Sequence, residues 1–304
     1  MSGTGNHRGT DVEVHLVDGT YELFRHFFGA PPHRNGEGRE VGAARATVGS
    51  VLRMLEDGAT HVAVATDHVI ESFRNDLWPG YKDGSGIDPD LYSQFGLLED
   101  LLRAAGVCTL AMVEYEADDA LAAMAAVAAA DERVERVLIC TPDKDLAQCV
   151  GGKVVQFDRR KGTISGVAEV QEKYGVPPES IPDWLGLVGD SADGFPGLPG
   201  WGAKSASAVL ARYGHLEDIP AGADDWDITV RGAGKLARTL QDNFSDALLF
   251  RRIATIEYDA PTIADVDELE WRGPLPELVD LAASVDAPGL AERATRIAAA
   301  RNVR

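Results

Sequence analysis

The sequence is short of the features that mark several classes of protein. Its three cysteines, Cys108, Cys140 and Cys149, are odd in number and lack the spacing of a metal site, so we expect reduced core residues in a cytoplasmic protein. The longest apolar run, residues 120–130, is alanine-rich and too short to span a bilayer. No basic segment followed by an apolar stretch opens the chain, so we expect no secretion signal. We therefore expect a monomer without a membrane partner.

Basic residues are also scarce. Lys and Arg total 29 against 49 Asp and Glu, which gives a formal net charge of −20. Nucleic-acid binding normally leaves a basic footprint on a protein, so this balance has two interpretations. Either the chain does not bind nucleic acid, or its acids gather at a metal site while a local basic surface does the binding. Composition does not choose between the two, but the order of the residues does.

The 304 residues, 45% of them hydrophobic, are enough for a substantial core in one large domain or two. Apolar runs predict strands over residues 12–17, 61–65, 107–113, 136–140 and 154–157. Helical spacing predicts helices between them over residues 44–55, 93–105 and 117–130. Strands that alternate with helices imply a parallel sheet covered on both faces.

The pattern changes after about residue 165. Helices are predicted over residues 167–174, 181–188 and 204–213, and a glycine-rich stretch separates the last two. We therefore place a boundary near Ser165. The expected organisation is a disordered leader over residues 1–10, an α/β domain over 11–165 and a helical region over 166–304.

Carboxylates follow four of the predicted strands. The first strand is followed by Asp18 and the second by Asp67. The third is followed by Glu116, Asp118 and Asp119, and the fourth by Asp143 and Asp145. The carboxyl ends of parallel strands lie along one edge of a sheet, so these seven side chains should converge on one cleft. Two carboxylates ~5 Å apart repel by about 3 kcal/mol at an effective dielectric of 20, and divalent cations remove that repulsion.

The chemistry of this group favours two hard cations. Oxygen ligands without matching Cys or His favour Mg²⁺ or Mn²⁺ over Zn²⁺, and two such ions ~4 Å apart promote phosphodiester hydrolysis. A single Asp after a strand is more often a helix N-cap, and Asp118 and Asp119 would suit the first turn of a helix. These alternatives explain individual residues but not all four strand ends, so we predict a shared metal site.

The glycine-rich stretch, residues 189–205, indicates a second kind of site, one that binds phosphate. Its Gly200-x-Gly202 turn exposes N–H groups just before a helix, where phosphate binds, and Lys204 adds a positive charge. A plain turn between helices would explain the glycines alone equally well. Asp190 and Asp193 do not suit a phosphate cradle, so we expect them to face the metals.

In this order the motifs resemble the 5′-nuclease family, which comprises the flap endonucleases and the N-terminal nuclease domain of bacterial DNA polymerase I. The resemblance runs from about residue 12 to residue 260 and rests on Val17-Asp18-Gly19, Thr66-Asp67, Phe73-Arg74, Tyr81-Lys82, Glu116-Ala117-Asp118-Asp119, Asp143-Lys144-Asp145-Leu146-x-Gln148, Gly189-Asp190-x-x-Asp193 and Pro199-Gly200-x-Gly202-x-Lys204-Ser205. It implies a PIN-like parallel-sheet α/β domain and a helix-three-turn-helix DNA-binding motif at about residues 183–213. The implied activity is structure-specific 5′–3′ exonuclease or flap endonuclease cleavage of DNA with 5′ flaps, nicks or ends, in replication and repair.

The resemblance also implies roles for individual residues. One metal would be surrounded by Asp18, Asp67, Glu116 and Asp118. The second would be surrounded by Asp143, Asp145 and Asp193, with Asp119 and Asp190 in support. The catalytic cations that stabilise or steer the phosphate would be Arg74 and Lys82. The duplex, and often a K⁺ ion, would be held by Gly200, Gly202, Lys204 and Ser205. A helical arch would cover the site between about residues 70 and 94.

The sequence departs from the family in one motif. Bacterial relatives usually carry an Arg three residues after the Tyr-Lys pair, and here that position is Ser85. The surrounding glycines, Gly84 and Gly86, disfavour a continuous arch helix, so 5′-end selectivity or trimming efficiency should differ. No polymerase pattern follows, so we expect a stand-alone nuclease. Two alternatives stay open: a structure-specific DNA-binding protein with weak or lost catalysis, and a PIN-type ribonuclease, which should lack the glycine turn.

Two further sets of residues carry expectations. The basic surface that binds DNA is expected in the second region, from Lys204, Arg212, Arg231, Lys235, Arg238, Arg251 and Arg252. Core packing, in preference to contact with bases, is expected for Trp184, Trp201, Phe24, Phe27 and Phe28.

Overall fold

The structure is a computed structural model that describes residues 12–302, so the expected disordered leader over residues 1–10 lies outside the described residues. Its sheet has six strands in the spatial order β3-β2-β1-β4-β5-β6. The strands are β1 (Val12–Asp18), β2 (His61–Asp67), β3 (Cys108–Met112), β4 (Val134–Cys140), β5 (Val154–Asp158) and β6 (Thr163–Ser165). The first five are parallel and β6 is antiparallel to β5. The five predicted strands are confirmed, whereas the three residues of β6 were too few to be predicted from a pattern.

The helices are α1 (Gly19–Gly29), α2 (Gly42–Glu56), α3 (Phe73–Leu77), α4 (Pro89–Tyr92), α5 (Phe95–Ala104), α6 (Ala117–Ala130), α7 (Val167–Tyr174), α8 (Ile181–Val188), α9 (Ala203–Tyr213), α10 (Ala233–Asp242), α11 (Phe244–Ala254), α12 (Leu278–Ser284) and α13 (Gly289–Asn302). All six predicted helices are present, with ends that differ by at most two residues. Among the described residues, no helix has both the length and the apolar character needed to cross a bilayer.

The central strands are buried on both faces. Leu16 and Val17 on β1, and Val137 and Ile139 on β4, are fully buried. One face packs against α6, and the other packs against α1, α2 and α5. A strand covered on both faces needs apolar residues at every position, which is why these strands read as nearly continuous apolar runs.

A second core lies in the helical region. Trp184 and Trp201 are both buried in it, as predicted, together with Phe195 and Phe250. These four aromatic side chains come from α8, α11 and the glycine-rich stretch, so this core fixes the loop between α8 and α9. Large aromatic side chains supply most of the apolar area that stabilises such a small core.

The chain returns to the α/β domain after α11. Ile256, Ile263 and Leu269 pack against the α6 face of the sheet, while Trp271 and Ile297 join the core on the opposite face. The helical region with a core of its own is therefore smaller than the predicted range of residues 166–304. Helical periodicity did not reveal this because it marks which face of a helix is buried, and not the partner that buries it.

The segment over residues 70–94 is broken into short pieces. It contains α3, a 3₁₀ turn at Gly84–Gly86, and α4. The implied arch is thus not one continuous helix, which agrees with the expectation from the glycines. Ser85 is exposed, and its hydroxyl donates to Asp83 Oδ1 over 2.6 Å.

One core prediction was wrong. Phe24 and Phe27 pack against the main core, but the side chain of Phe28 is 73% exposed at the end of α1. Helical spacing placed all three on related faces, yet the neighbouring chain does not cover the last turn of α1. The three cysteines are free, as expected.

Candidate active site

The four predicted strand ends lie along one edge of the sheet. Asp18 and Asp67 are the last residues of the adjacent parallel strands β1 and β2. Glu116 precedes α6 after β3, and Asp143 follows β4 by three residues. Parallel pairing forces these ends together, so the convergence predicted from sequence is present in the fold.

Two of these acids also organise the backbone around them. Asp18 caps α1, because its Oδ1 accepts from the amide of Tyr21 over 2.8 Å while Oδ2 accepts from the hydroxyl of Thr141 over 3.0 Å. Asp67 Oδ1 accepts from the amide of Ala117, the first residue of α6, over 2.8 Å. The helix-cap alternative is therefore correct for Asp18, and it is compatible with a second role because a carboxylate has further lone pairs.

A second group of acids contains residues from both regions of the chain. Asp145, Asp190 and Asp193 each have a carboxylate oxygen within 4.8 Å of the others. Asp145 Oδ1 is buried and has no hydrogen-bond partner among the described residues. A buried carboxylate oxygen without a partner is unfavourable, and a cation between these oxygens would satisfy it. The donor set consists only of oxygens, which fits Mg²⁺ or Mn²⁺.

Glycine geometry holds the loop that carries Asp190 and Asp193. Gly194 has φ +84°, and a Cβ there would lie 2.0 Å from the carbonyl oxygen of Gly80. The amide of Lys82 also donates to the carbonyl of Asp193 over 2.9 Å. Only glycine tolerates this backbone and this close approach, so the loop lies directly against the 70–94 segment.

Mutual repulsion links the members of the cluster. Burial raises the pKa of Asp18 to about 7, with further contributions from Asp67 and Asp143. Burial followed by the charge of Asp143 also holds the pKa values of Asp118 and Asp145 well above the usual range. Since Asp143 also acts on Asp193, it affects acids of three other segments and lies near the centre of one shared cluster.

Glu116 is the exception among these acids. Burial alone would raise its pKa, but Lys82 and Arg74 hold the pKa of Glu116 below its usual value. Its Oε1 accepts from the hydroxyl of Ser72 over 2.6 Å, and its Oε2 accepts from the hydroxyl of Tyr81 over 3.1 Å. These neighbours fix Glu116 as an ionised carboxylate.

Lys82 lies between the two groups of acids. Its Nζ is 3.0 Å from Glu116 Oε2 and 3.2 Å from Asp193 Oδ1, and its side chain is 29% exposed. Although burial opposes the charged form, these two carboxylates raise the pKa of Lys82 well above its usual value. A charged ammonium group therefore lies between the two groups of acids.

The structure corrects the prediction for Arg74 and Asp119. Arg74 is 2% exposed, and both terminal nitrogens donate to the two oxygens of Asp119 over 2.8 Å. Asp119 is completely buried and also accepts from the amides of Glu116 and Glu257 over 3.0 and 2.9 Å. Four of the five N–H groups of Arg74 are bonded and each oxygen of Asp119 accepts two hydrogen bonds, so this buried pair is committed to structure and is not placed to bind a phosphate or a metal.

The predicted phosphate turn is exposed at its tip. Gly200 has φ +86°, with no atom near its missing Cβ, and Gly202 directly precedes α9. Lys204 is exposed and makes no ion pair with the described residues. The hydroxyl of Ser205 bonds back to the amide and carbonyl of Gly202 over 3.1 and 2.9 Å, so Ser205 holds the start of the helix.

The basic surface is smaller than the sequence indicated. Three of the seven cations are paired: Arg212 with Asp227, Arg251 with Asp183 and Glu217, and Arg252 with Glu257. Within residues 12–302, the cations of this set that are exposed and outside any ion pair are Lys204, Arg231, Lys235 and Arg238. The sequence could not separate the two kinds because pairing depends on tertiary neighbours.

Sequence reasoning missed several polar residues around the acids. Ser72 and Tyr81 bind Glu116, Thr141 binds Asp18, and Gln148 donates to the carbonyl of Asp145 over 2.7 Å. Tyr81 and Gln148 stand inside two of the motifs, beside Lys82 and after Asp145, so their spacing was a usable signal. Ser72 and Thr141 gave none, because single hydroxyls are common in loops.

Comparison with known proteins gives two sequence-family matches. The family described as 5′–3′ exonuclease, N-terminal resolvase-like domain, matches residues 13–175. The family described as 5′–3′ exonuclease, C-terminal SAM fold, matches residues 176–277. DNA polymerase I of Bacillus caldotenax is 34% identical over 265 residues, which are 85% of this chain and 29% of that protein. The chain thus spans less than a third of the length of this relative.

Solved structures share the fold. A bacteriophage T5 flap endonuclease, in a pseudo-enzyme–product complex with DNA and metal ions, matches 94% of this chain and 97% of its own at a TM-score of 0.62 and 22% identity. Flap endonuclease-1 from Methanococcus jannaschii matches 96% and 94%, at a TM-score of 0.56 and 14% identity. With both family models matched in order over most of the described residues, the chain belongs to the 5′–3′ exonuclease family.

Proposed function

We propose that this chain is a structure-specific 5′–3′ exonuclease or flap endonuclease that hydrolyses DNA with two divalent ions, Mg²⁺ or Mn²⁺. The observation that carries the proposal is the cluster of carboxylates at the sheet edge, with pKa values raised by burial and by one another. Such a cluster is unfavourable without cations, and buried acids with perturbed pKa values gather at functional sites.

The proposed ligands fall into two sets. The first ion would be held by Asp18, Asp67, Glu116 and Asp118. The second would be held by Asp143, Asp145 and Asp193, with Asp190 in support. The second set is supported by the 4.8 Å grouping of Asp145, Asp190 and Asp193 and by the unpartnered oxygen of Asp145. Ions held there would supply an activated water and would stabilise the leaving oxygen of a phosphodiester.

Lys82 is the proposed catalytic cation of the protein itself. It reaches both sets of acids, through Glu116 and Asp193, and remains partly exposed to the cleft. A fixed positive charge at this position stabilises the negative charge that develops on a phosphate in the transition state. Arg74 does not share this role in the proposal, because its guanidinium is buried against Asp119.

The glycine turn is the proposed duplex grip. Gly200, Gly202 and Lys204 form an exposed turn before α9, which suits a phosphate or a K⁺ ion bound by main-chain groups. The unpaired cations of the helical region would add backbone contacts, in particular Arg231, Lys235 and Arg238. Ser205 contributes by fixing the turn. The proposed partner is DNA with a 5′ flap, nick or free end.

The test compares labelled 5′-flap, nicked and blunt DNA, and a matched RNA, with Mg²⁺, with Mn²⁺ and with EDTA. We expect cleavage near the 5′ end of the flap or nick in either metal and none in EDTA. Binding to the flap without cleavage in either metal would contradict the nuclease proposal and favour a DNA-binding protein with lost catalysis. Preferential cleavage of the RNA would favour the ribonuclease alternative.

A further inference from the structure

Five consecutive residues at the end of α11 are held by side chains of the nuclease domain. Arg74 donates to the carbonyls of Ile253 and Thr255 over 2.8 and 3.1 Å. Gln148 donates to the carbonyl of Ala254 over 2.9 Å and accepts from the amide of Ile256 over 3.1 Å. Asp119 accepts from the amide of Glu257 over 2.9 Å. We call Arg74, Asp119, Gln148 and the main chain of residues 253–257 the clasp.

These bonds satisfy groups that a helix leaves open. The last carbonyls of an α-helix lack partners within the helix, and positive charge is favourable at that end. The Arg74 guanidinium and the Gln148 amide supply both at the end of α11. The clasp therefore binds the end of α11 to the nuclease domain with directional bonds, in addition to apolar packing.

The same side chains also hold segments that carry acids of the site. Asp119 Oδ2 accepts from the amide of Glu116 over 3.0 Å. Gln148 Nε2 donates to the carbonyl of Asp145 over 2.7 Å. Asp119 and Gln148 thus each bond residues 253–257 on one side and a carboxylate segment on the other.

α11 is in turn packed closely on the helix that leads to the remaining acids. Gly186 of α8 lies so near α11 that a Cβ there would be 2.9 Å from the carbonyl oxygen of Ala247 and 3.1 Å from the amide of Arg251. α8 ends at Val188, and Asp190 follows two residues later. The position of α11 therefore sets the position of the Asp190–Asp193 loop relative to the sheet edge.

We propose that Gln148 is a positioning residue that sets Asp145 of the nuclease domain at the correct distance from Asp190 and Asp193 of the helical region. The inference rests on the proposed function, since it concerns the same acids. Gln148 suits the task because one amide group donates to both Asp145 and Ala254 and accepts from Ile256. An apolar side chain of the same length fills the space but makes none of these bonds.

The test measures ion binding without any cleavage step. Mg²⁺ and Mn²⁺ are titrated by calorimetry into the full chain as wild type, Gln148→Met and the control Gln171→Met, whose parent glutamine is exposed on α7 with no side-chain bond among the described residues. Loss of a residue that orients ligands typically weakens metal binding by about 10–100-fold. We expect that weakening in Gln148→Met and wild-type binding in the control.

Flap-DNA affinity in EDTA and the unfolding midpoint separate positioning from general damage. We expect DNA affinity to stay close to wild type in Gln148→Met and the unfolding midpoint to fall by only a few degrees, because packing at residue 148 is kept while three part-buried bonds are lost. Wild-type ion affinity in Gln148→Met would overturn the proposal, and so would an equal loss of ion affinity, DNA affinity and stability. If Gln148→Met does not fold, Gln148→Asn replaces it. Its amide is one carbon shorter and is drawn away from the carbonyl of Ala254 and the amide of Ile256, so wild-type ion affinity in it would likewise overturn the proposal.

These outcomes are distinct from failure of the proposed function. A wild-type chain that binds the ions and the flap but cleaves nothing would contradict the nuclease, while the calorimetric comparison would still decide the role of Gln148. A wild-type chain that binds no divalent ion would overturn both.

Discussion

Positively charged side chains are paired with acids at the sheet edge but are partly unpaired in the helical region. At the edge, the cations Arg74, Lys82 and Lys144 are each bonded to carboxylates of the cluster or beside it. In the helical region, Lys204 and Lys235 are exposed and outside any ion pair within residues 12–302. The net charge of −20 is a sum over both arrangements, so it describes neither of them.

This difference is compatible with the proposed binding of DNA by an acidic chain. Buried acids with raised pKa values take up protons or metal ions, so the cluster repels a phosphate less than its formal charge suggests. Unpaired cations on an exposed turn remain available for phosphate, because no neighbouring carboxylate competes with it. The comparison therefore predicts that changes at the edge alter cleavage, while changes in the helical region alter binding.

The largest expected effect comes from Asp145, the acid of the nuclease domain that groups with Asp190 and Asp193 of the helical region. Asp145→Ala should lower the single-turnover cleavage rate by ~10³-fold or more, equivalent to about 4 kcal/mol of transition-state stabilisation. DNA affinity in EDTA should stay within about twofold, because the grip lies elsewhere. The control is Asp242→Ala, an exposed acid on α10 outside any ion pair of the described residues. Wild-type turnover of Asp145→Ala in Mg²⁺ would show that the metal assignment is wrong.

Lys82→Ala should have the next largest effect. Its Nζ lies between Glu116 and Asp193, so its loss removes the one cation within residues 12–302 that contacts both sets of acids. We expect a fall in cleavage rate of ~10²-fold, the range for one transition-state donor, with DNA binding little changed. Single-turnover cleavage of a 5′ flap measures it, with Lys173→Ala on α7 as the control. A wild-type rate would restrict Lys82 to a structural role.

Much of this comparison could be predicted from sequence. Strand ends, the acids after them and the glycine turn are local features, because a parallel sheet fixes where strand ends meet. The Tyr-Lys motif also singled out Lys82, whose Nζ lies beside Glu116 and Asp193; its catalytic role stays a prediction.

The parts that could not be predicted depend on tertiary partners. Arg74 and Asp119 stand in motifs beside true cleft residues, but their mutual pairing and the approach of residues 253–257 bury them. The pairing of Arg212 with Asp227 depends likewise on a loop that packs beside α9. The packing of the chain after α11 against the sheet could not be predicted, because an apolar face of a helix does not show which element will cover it.

Stability should depend on pH in a way that reports on the edge. Burial raises the folded-state pKa of Asp18 from 3.8 to about 7, so the folded chain holds a proton that the unfolded chain releases. This contribution to stability is present below pH 3.8 and is lost as pH rises towards 7. Without divalent ions, the unfolding midpoint should fall by roughly 5 °C between pH 5 and 7.5.

Two comparisons sharpen that prediction. Mg²⁺ should reduce the loss, because a bound cation stabilises the ionised form of the acids. Asp18→Asn should flatten the pH dependence, since the amide does not titrate. An unfolding midpoint that rises with pH over this range in EDTA would show that the acids do not repel one another as the geometry indicates.

Lys204→Ala should have the smallest effect, a weaker affinity for DNA, and it tests the helical region most directly. Each phosphate contact releases condensed counterions, so the slope of log affinity against log salt should decrease in magnitude by about one unit. The loss should be similar for all duplex sequences, because a contact to the backbone reads no base. Fluorescence anisotropy in EDTA at several salt concentrations measures it, and Lys173→Ala, with its lysine on the separate helix α7, should leave the slope unchanged. A loss confined to some sequences, or an unchanged slope, would mean that this exposed turn does not grip phosphate. The division between an acidic edge that cleaves and a basic turn that binds would then fail, and the partner of the four unpaired cations would have to be sought on another surface.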